Sequence, residues 1–435
     1  MQPPHTPTHG GAARRWPGLA GGGLWALAAL GLALAPQVFP GHLALGLLAQ
    51  MGIAVLACLS FNLLYGQGGM LSFGHAVYTG LGAYVAIHAL RLAADGVVTV
   101  PVPLVPLVGG LGGMGCAVLL GYVSTRKAGT PFAMITLGLG ELVFALSLMW
   151  TGFFGGEAGI SANRVLPDPW WGIGFGPQVQ VYYLVAAYTL AGVALMYAFT
   201  QTPLGRILNA VRDNPERVAF LGYNPRQVRY LAFVIAGFFA GIAGGLGAVL
   251  FEIVTAEVVG PLRSGGYLLF TFLGGTTVFF GPIIGGVLMV LAFVLLSDLT
   301  SAWLLYLGLV FVFMVMYAPG GLASLVMANL RLAAAGRLRE LWVAYLGLGA
   351  TALVLLAGAG ALVEMVYHLQ LNAALGDEVI FLGLPLDTRS ASSWFGAAWV
   401  LATGLGLFEL ARRQCRQQWL QIQAELALAQ RGGAA

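Results

Sequence analysis

A glycine-rich stretch, residues 62–84, carries the polar groups of this sequence that are best suited to hold a small ligand. Gly66, Gly68, Gly69 and Gly74 interrupt an otherwise apolar region there. Glycines at such a break leave backbone amides free to face a cavity, where they can bind a carboxylate. The alternative is a tight turn between two helices, in which the histidine of the stretch is hydrogen-bonded locally. The predicted members of a substrate or translocation path are Asn62, Gln67, Gly68, Gly69, Ser72, Phe73, Gly74 and His75.

Glu141 is a further candidate for the same path. It lies in the middle of the apolar segment PFAMITLGLGELVFALSLMW, residues 131–150. A charge at that depth in a bilayer is costly unless it faces a cavity or a partner. We therefore predict that Glu141 lines the path, with a structural pairing to another helix as the alternative.

A charged insert, residues 202–225 with the sequence TPLGRILNAVRDNPERVAFLGYNP, differs from the rest of the chain. Asn214 can cap a helix there, and Pro215 suits the first helical position. Gly222 supplies a left-handed stop after the helix. These signals predict a short helix with sharp ends over residues 215–221.

The predicted helix has an apolar side. Val218 and Leu221 stand three positions apart, so they are expected to project on one face. An apolar pair on a short charged helix is suited to bind in a hydrophobic groove of another protein. The alternative is a capped loop helix without a partner.

No enzyme signature accompanies these candidates. The sequence has no nucleotide-binding P-loop, no HExxH pair, no kinase signature and no Ser/His/Asp spacing of a hydrolase. Its six histidines have no ligand-like neighbour at helical spacing, and its three cysteines stand singly. We predict no catalytic residue, no metal site and no cofactor in this chain, so energy for its work must come from other proteins.

The composition is that of a protein that crosses a membrane many times. Hydrophobic residues make up 59% of the 435, charged residues only 8%, and the mean hydropathy is +0.86. No soluble domain of this size keeps so little charge on its surface, which excludes a soluble enzyme. The net charge is only +4, and the positions of the charges along the chain matter more than their sum, because they set membrane topology rather than nucleic-acid binding. The predicted fold is an all-α polytopic membrane protein with about 10–12 transmembrane helices, some broken or re-entrant.

Apolar segments recur along the whole chain. The segment at 266–280 is short and interrupted by glycine, which predicts a broken or re-entrant helix. Counting it as a crossing gives twelve spans with both termini, and the insert at 202–225, in the cytoplasm. Only four of the 20 basic residues then lie outside, the bias that the positive-inside rule describes. The segments lie at 19–35, 42–64, 70–90, 101–123, 131–151, 180–200, 229–251, 266–280, 282–298, 302–318, 341–363 and 393–411.

The two ends of the chain differ from its middle. Residues 1–16 form a polar tail, and Ala33-Leu34-Ala35 imitates the cleavage site of a signal peptide. Because Pro36 follows directly, we expect an uncleaved first span. At the other end, three arginines precede an apolar stripe at helical spacing, which predicts a helix on the membrane surface. These residues are Arg412, Arg413 and Arg416, followed by Trp419, Ile422 and Leu426.

Two predicted outer loops suit contact with a soluble partner. They cover residues 152–179 and 364–392 and are acidic or aromatic, although aromatic residues also anchor helices at the membrane interface. The residues concerned are Glu157, Asp168, Trp170, Trp171, Glu364, Asp377, Glu378 and Asp387.

Five stretches, in a fixed order, resemble one family. The resemblance is to the permease subunits of branched-chain amino acid ABC importers, the LivH/LivM family, and within it to the LivM-like members. Glu216 and Gly222 match the E-A-A-x-x-x-G pattern of importer coupling loops. The stretches are LSFGHAVYTGLGAY at 71–84, PFAMITLGLGELV at 131–143, the insert at 202–225, LAFVIAGFFAGIAGGLGA at 231–248, and LGGTTVFFGPIIGG at 273–286 followed by MYAPGGLASLV within 315–326.

The resemblance implies a division of labour in transport. The insert would dock on a cytoplasmic ATPase, and a second permease of the family would complete the path. Two ATP-binding subunits would carry ATP and Mg²⁺, and a periplasmic solute-binding protein would deliver a small-molecule substrate. The chain would lie among membrane lipid in a bacterial inner membrane and bind no nucleic acid. The implied coupling residues are Asp213, Asn214, Pro215, Glu216, Arg217, Val218, Leu221 and Gly222.

The resemblance also divides the chain. It implies a cytoplasmic tail over 1–16, a permease domain over 17–330 with its coupling loop at 201–228, and an extension over 331–435 with two further spans and a basic amphipathic tail. The implied substrate is a branched-chain or related amino acid, with urea, amides or aromatic acids as alternatives. An ion-coupled secondary transporter is a competing hypothesis, because it would explain Glu141 and the broken helices.

Overall fold

The computed structural model describes residues 22–166, 174–318, 320–334, 336–371, 378–381 and 384–432. Most of these residues are helical, and the strands are short. The predicted all-α polytopic membrane fold is therefore confirmed. The predictions made for residues 1–16, Asp168, Trp170, Trp171 and Asp377 fall outside the described residues.

The α-helices and strands of the described residues follow one another in this order: α1 Gly22–Val38, α2 His42–Asn62, α3 Ala76–Ala94, α4 Val105–Ser124, α5 Thr130–Met149, α6 Thr151–Phe154, β1 Ile160–Ser161, α7 Gln178–Gln201, α8 Pro203–Asp213, α9 Pro215–Phe220, α10 Pro225–Phe251, β2 Ile253–Val254, α11 Pro261–Gly274, α12 Gly281–Val290, α13 Ser297–Leu299, α14 Trp303–Tyr317, α15 Gly321–Ala334, α16 Leu338–Leu371, β3 Glu378–Phe381, β4 Leu384–Asp387 and α17 Ala391–Gly432. Two π-helical turns occur at Leu63–Gln67 and Leu291–Leu296. The strands form two antiparallel two-stranded sheets, β1 with β2 and β3 with β4.

Within the described ranges, eight helical stretches are long and apolar enough to cross a membrane, or nine if the bent pair of α14 and α15 counts as one span. This number is lower than the 10–12 spans that the sequence predicts, because some apolar segments form helices too short to cross a membrane, such as α1 with 17 residues and α11 with 14. At 266–280, α11 ends at Gly274 and α12 begins at Gly281, so a break is present there. The eight are His42–Gln67, Val102–Ser124, Thr130–Met149, Gln178–Gln201, Pro225–Phe251, Gly281–Leu299, Leu341–Gln370 and Ala391–Ile422.

α10 is the most deeply buried of these spans. It meets α3 and α4 backbone to backbone: a Cβ at Gly82 would lie 2.5 Å from Gly241 Cα, and a Cβ at Gly109 would lie 2.9 Å from Gly245 Cα. Carbon atoms cannot approach so closely, so only glycine permits this contact. The glycines thus hold α3, α4 and α10 close together. The glycine-rich stretch leads into α3, and the insert leads into α10.

The described chain forms two compact units. One contains residues up to Leu291 together with Gly320–Leu322, and the other contains Ala292–Pro319 and the residues from Ala323 onward. All of the predicted site residues lie in the first unit. The boundary at residue 330 comes from the resemblance and stays a prediction.

The second unit is built on the pairing of α16 with α17. A Cβ at Gly358 would lie 2.5 Å from the Leu401 amide nitrogen, and a Cβ at Gly404 would lie 2.7 Å from Leu355 Cα. Small residues at these positions let the two helices approach closely, as is usual between helices in a membrane.

The C-terminal stripe packs differently from the prediction. α17 is one helix of 42 residues, so the basic segment continues the last span and does not begin a separate surface helix. Ile422 is 5% exposed and lies in a cluster with Leu332 and Leu341, against which Trp419 also packs. The side chain of Leu426 lies outside the described side chains. The apolar periodicity is real, but other helices of the same unit cover it.

Candidate functional site

Three successive helices around the insert begin with the same local chemistry. A polar residue caps each helix and a proline follows it: Thr202 before α8, Asn214 before α9 and Asn224 before α10. The Asn214 side-chain oxygen accepts a hydrogen bond from the Arg217 amide at 2.9 Å. The predicted helix start at Asn214 and Pro215 is therefore confirmed.

Gly222 sets the end of α9. Its φ of +87° lies in the left-handed region that other residues rarely adopt. A Cβ at this position would meet no atom within 4 Å, so the backbone conformation alone requires glycine. The predicted left-handed stop is confirmed.

The exposed apolar surface of α9 differs from the predicted one. Val218 is only 3% exposed, whereas Leu221 is 71% exposed, so the prediction that the two share an outward face is wrong. Because α9 packs against α8 and α10, its middle faces the chain. Phe220, 91% exposed, points outward with Leu221, and we call this pair the apolar tip. The other predicted coupling residues of the segment are all exposed: Asp213, Asn214, Pro215, Glu216, Arg217 and Gly222.

α8 fastens the insert to the glycine-rich stretch. The Asn209 side-chain amide donates a hydrogen bond to the Gln67 side-chain oxygen at 2.9 Å, although the two residues are 142 positions apart. The Arg212 guanidinium donates another hydrogen bond to the backbone oxygen of Gly66. The insert and the glycine-rich stretch, which are distant in sequence, are therefore in direct contact.

The glycine-rich stretch is a close-packed joint between α2 and α3. α2 ends in the π-helical turn Leu63–Gln67, an irregularity that is frequent at functional sites. Gly69 follows with a φ of +66°, and a Cβ there would lie 2.8 Å from Arg212 Cγ. We call residues 63–69 the joint. Glycine is required at position 69 because Arg212 of α8 lies directly against the backbone there.

The amides of the joint are not free. The Gly68 amide donates to the Leu64 oxygen at 3.1 Å, and the Gly69 amide donates to the Tyr65 oxygen at 2.8 Å. The predicted cradle of free amides for a carboxylate is therefore wrong at these two positions, and the tight-turn alternative describes them. Whether the stretch lies along a substrate path stays a prediction.

Polar side chains next to the joint are fully buried. His75 Nε2 shares a hydrogen bond of 2.8 Å with Ser60 Oγ on α2. His75 Nδ1, Asn62 Oδ1 and Ser72 Oγ have no hydrogen-bond partner among the described residues. Buried polar atoms of this kind usually bind ordered water or another ligand. The structure thus brings these three predicted path residues into the interior of the first unit.

α5 rests on the residues that follow the joint. A Cβ at Gly74 would collide with the Thr136 backbone oxygen, and the Phe73 amide donates to the Thr136 hydroxyl at 3.1 Å. Glu141 lies further along α5, is exposed, and has no ion-pair partner among the described residues. The alternative, a structural pairing of Glu141 with another helix, is therefore not observed in the described part of the chain, and its place along a path stays a prediction.

A cavity of about 550 Å³ lies between α1, α2, α7 and α12. Its size falls in the range of about 300–1,000 Å³ that is typical of small-molecule sites. The lining is almost wholly apolar, with Trp25, Tyr182 and Phe280 among its larger residues, and it contains no charged side chain. None of the predicted path residues lines it, so the cavity suits hydrocarbon better than a charged amino acid.

A family comparison identifies the chain. The family described as "Branched-chain amino acid transport system / permease component" matches residues 43–320, which is more than half of the chain. The chain belongs to this family. The match contains the joint, α5 and the insert, and the predicted resemblance is confirmed.

Individual relatives agree with this family. The permease is 29% identical over 301 residues to the "High-affinity branched-chain amino acid transport system permease protein LivM" of Escherichia coli (strain K12), covering 64% of the permease and 70% of the relative. The protein of the same name from Salmonella typhimurium matches to the same extent, 29% over 301 residues. The "Probable branched-chain amino acid transport permease protein LivH" of Methanocaldococcus jannaschii is 26% identical over 251 residues, covering 55% of the permease and 76% of the relative. No solved structure matches the permease significantly.

The link between the insert and the joint was missing from the sequence predictions. In sequence, Asn209 and Arg212 are ordinary polar positions of a helix whose Leu208 and Val211 are buried. Nothing in their spacing indicates contact with residues near position 66. The available signal was topology, because both segments were predicted on the same side of the membrane.

Arg164 of the permease also has a role that the sequence did not reveal. It lies at the end of α10 far from the insert, and its side chain is 11% exposed. The guanidinium donates to the backbone oxygens of Phe175 at 2.8 Å and Leu250 at 3.1 Å, and it lies 3.7 Å from the Glu252 carboxylate. Arg164 thus ties the segment before α7 to the end of α10.

Proposed function

We propose that the permease is the membrane-spanning subunit of an ATP-driven importer and forms part of the path for branched-chain or related amino acids. The observation that carries the proposal is the attachment of α8 to the joint through Asn209 and Arg212. Through α8, this attachment connects α9, an exposed helix with defined ends, to the joint between α2 and α3. Such a connection is suited to convert the movement of a soluble partner into a movement of membrane helices.

The soluble partners in this proposal are two cytoplasmic ATP-binding subunits, which hold ATP and Mg²⁺. The apolar tip, Phe220 and Leu221, enters a groove on one of them, because exposed apolar side chains at the end of a charged helix are typical anchors of an interface. Closure of the ATP-binding subunits then displaces α9 and α8 together. The permease itself performs transport and not covalent chemistry.

A second permease of the family completes the path beside α5. This helix exposes Met134, Glu141 and Leu142 on its free surface. A carboxylate within a membrane span is costly when it faces lipid, so Glu141 is better placed facing a polar path or a partner subunit. The same helix contacts the residues after the joint through Thr136, which accepts a hydrogen bond from the Phe73 amide.

Membership of the family supports a proposal for the substrate and the outer partner. The LivM relatives are named for branched-chain amino acid transport, and we propose the same substrate class here, with urea, amides or aromatic acids as alternatives. A periplasmic solute-binding protein delivers the substrate at the end braced by Arg164. The protein resides in a bacterial inner membrane with both termini in the cytoplasm, and residues 331–435 extend a permease domain of residues 17–330.

Uptake into reconstituted vesicles tests this function. We expect labelled branched-chain amino acid to accumulate only when the permease, the second permease, the ATP-binding subunits, ATP and the binding protein are all present. The matched control is the same reaction with ATP but without the binding protein, and we expect it to give only background uptake. Accumulation driven by a proton or sodium gradient without ATP would contradict the proposal and favour a secondary transporter.

A further inference from the structure

A cluster of cations surrounds one tyrosine where α4 and α10 leave the bundle. The Arg126 guanidinium carbon lies 4.6 Å from the centre of the Tyr122 ring, and the Arg226 guanidinium carbon lies 5.5 Å from the same ring. Tyr230 packs edge-on against Tyr122, with ring centroids 6.5 Å apart. Cation–π contacts hold both guanidinium groups against a single aromatic side chain.

The charges of this cluster are not neutralised within the described chain. Arg126, Lys127 and Arg226 are exposed, and none of them has a carboxylate partner among the described residues. Arg226 also occupies the first turn of α10, a turn without an acidic residue. A cation is unfavourable at the positive end of a helix dipole, and a second cation beside it adds repulsion. An anion bound between the two guanidinium groups would remove both penalties.

The position of the cluster selects the kind of anion. Tyr122 lies near the end of the span Val102–Ser124, and Arg226 lies at the start of the span Pro225–Phe251, so the cluster is at the boundary of the membrane. The neighbouring apolar residues on the two helices are exposed as well, with Leu119 at 72% and Leu231 at 46%. A surface with cations at the boundary and apolar side chains beyond it matches a phospholipid, which joins a phosphate to hydrocarbon chains.

We propose that Arg126, Arg226 and Tyr122 form a binding site for the phosphate headgroup of an anionic phospholipid, with Leu119 and Leu231 along its acyl chains. The guanidinium groups donate hydrogen bonds to the phosphate oxygens, a geometry for which arginine is well suited. The site depends on neither the ATP-binding subunits nor the transported substrate. It is therefore separate from the proposed transport function and stands or fails independently of it.

Native mass spectrometry of the permease, purified in detergent and titrated with phosphatidylglycerol, tests the site. In the double variant R126Q/R226Q we expect phosphatidylglycerol binding to weaken by about 30-fold, because each basic residue at an anionic membrane surface contributes about fivefold. The matched control is R206Q, since Arg206 is another exposed arginine on an adjacent helix and has no aromatic ring against it among the described residues. R206Q is expected to bind phosphatidylglycerol like the unmodified permease.

Phosphatidylcholine and inorganic phosphate, titrated separately, distinguish the possible sources of the ligand. We expect phosphatidylcholine to bind the unmodified permease and R126Q/R226Q equally weakly, and inorganic phosphate to give no stable adduct. Phosphatidylglycerol binding that is unchanged in R126Q/R226Q would overturn the proposal, as would inorganic phosphate binding as tightly as the lipid. The single variants R126Q and R226Q are measured as well, so that a misfolded double variant still leaves a decisive comparison.

Discussion

Replacing both residues of the apolar tip with serine, F220S/L221S, is expected to abolish ATP-driven uptake and the co-purification of the ATP-binding subunits. Phe220 is 91% exposed and Leu221 is 71% exposed, so the substitutions remove little internal packing. An apolar anchor at the centre of an interface typically contributes about 2 kcal/mol or more. Losing two anchors, about 4 kcal/mol together, is therefore expected to weaken the complex by about 700-fold. Pull-down of the ATP-binding subunits through a tag on the permease measures this loss.

The matched control for the tip is V97S. Val97 is 68% exposed and lies in the loop after α3, away from the insert. This variant makes the same kind of change from an apolar to a polar surface and is expected to keep uptake and co-purification normal. Normal recovery of the ATP-binding subunits with F220S/L221S would show that the tip is not the contact.

The substitution G222V is also expected to abolish uptake, by a different physical route. Valine is strained at a φ of +87°, by about 1–3 kcal/mol. Because no atom lies within 4 Å of the position of the new Cβ, the chain can relieve the strain by changing the turn after α9. Phe220 and Leu221 then lose their orientation, while the membrane helices stay packed. Uptake reports the loss of tip orientation, whereas the elution volume of the purified permease reports whether the membrane helices stay packed. We expect uptake to be lost and the elution volume to be unchanged.

Two controls identify backbone conformation at Gly222 as the cause. The variant G222N should retain much of the uptake, since asparagine tolerates the left-handed region. The variant G96V imposes the same strain elsewhere, because Gly96 has a φ of +73° and also no atom within 4 Å of a Cβ. G96V is expected to transport normally. Equal loss of uptake in G96V and G222V would indicate general destabilisation and would refute a specific role for the turn after α9.

Local chemistry could be predicted from the sequence because it depends on neighbouring residues. Asn214 followed by Pro215 identified the start of α9, and Gly222 identified its end. The apolar composition likewise identified the membrane fold, although short helices such as α11 reduced the number of qualifying spans. These features require no knowledge of which segments meet in space.

The orientation of each element depended on long-range contacts, and there the sequence was insufficient. A helical repeat shows that Val218 and Ile422 lie on apolar faces, but it does not show what covers them. Both residues turned out to pack inside the protein. The glycines of the joint were correctly located, yet Gly69 allows the close approach of Arg212 on α8, and the Gly68 and Gly69 amides form no cradle of free donors. That contact joins segments far apart in sequence, so no local pattern reports it.

Photo-crosslinking from position 220 probes the proposed contact between the insert and an ATP-binding subunit. A photoreactive amino acid replaces Phe220 in the permease, and the complete transporter is assembled and illuminated in its membrane. We expect a covalent adduct between the permease and an ATP-binding subunit, and no such adduct when the same probe replaces Val97. An assembly that still transports, but in which position 220 never crosslinks to an ATP-binding subunit, would contradict the coupling function assigned to this segment.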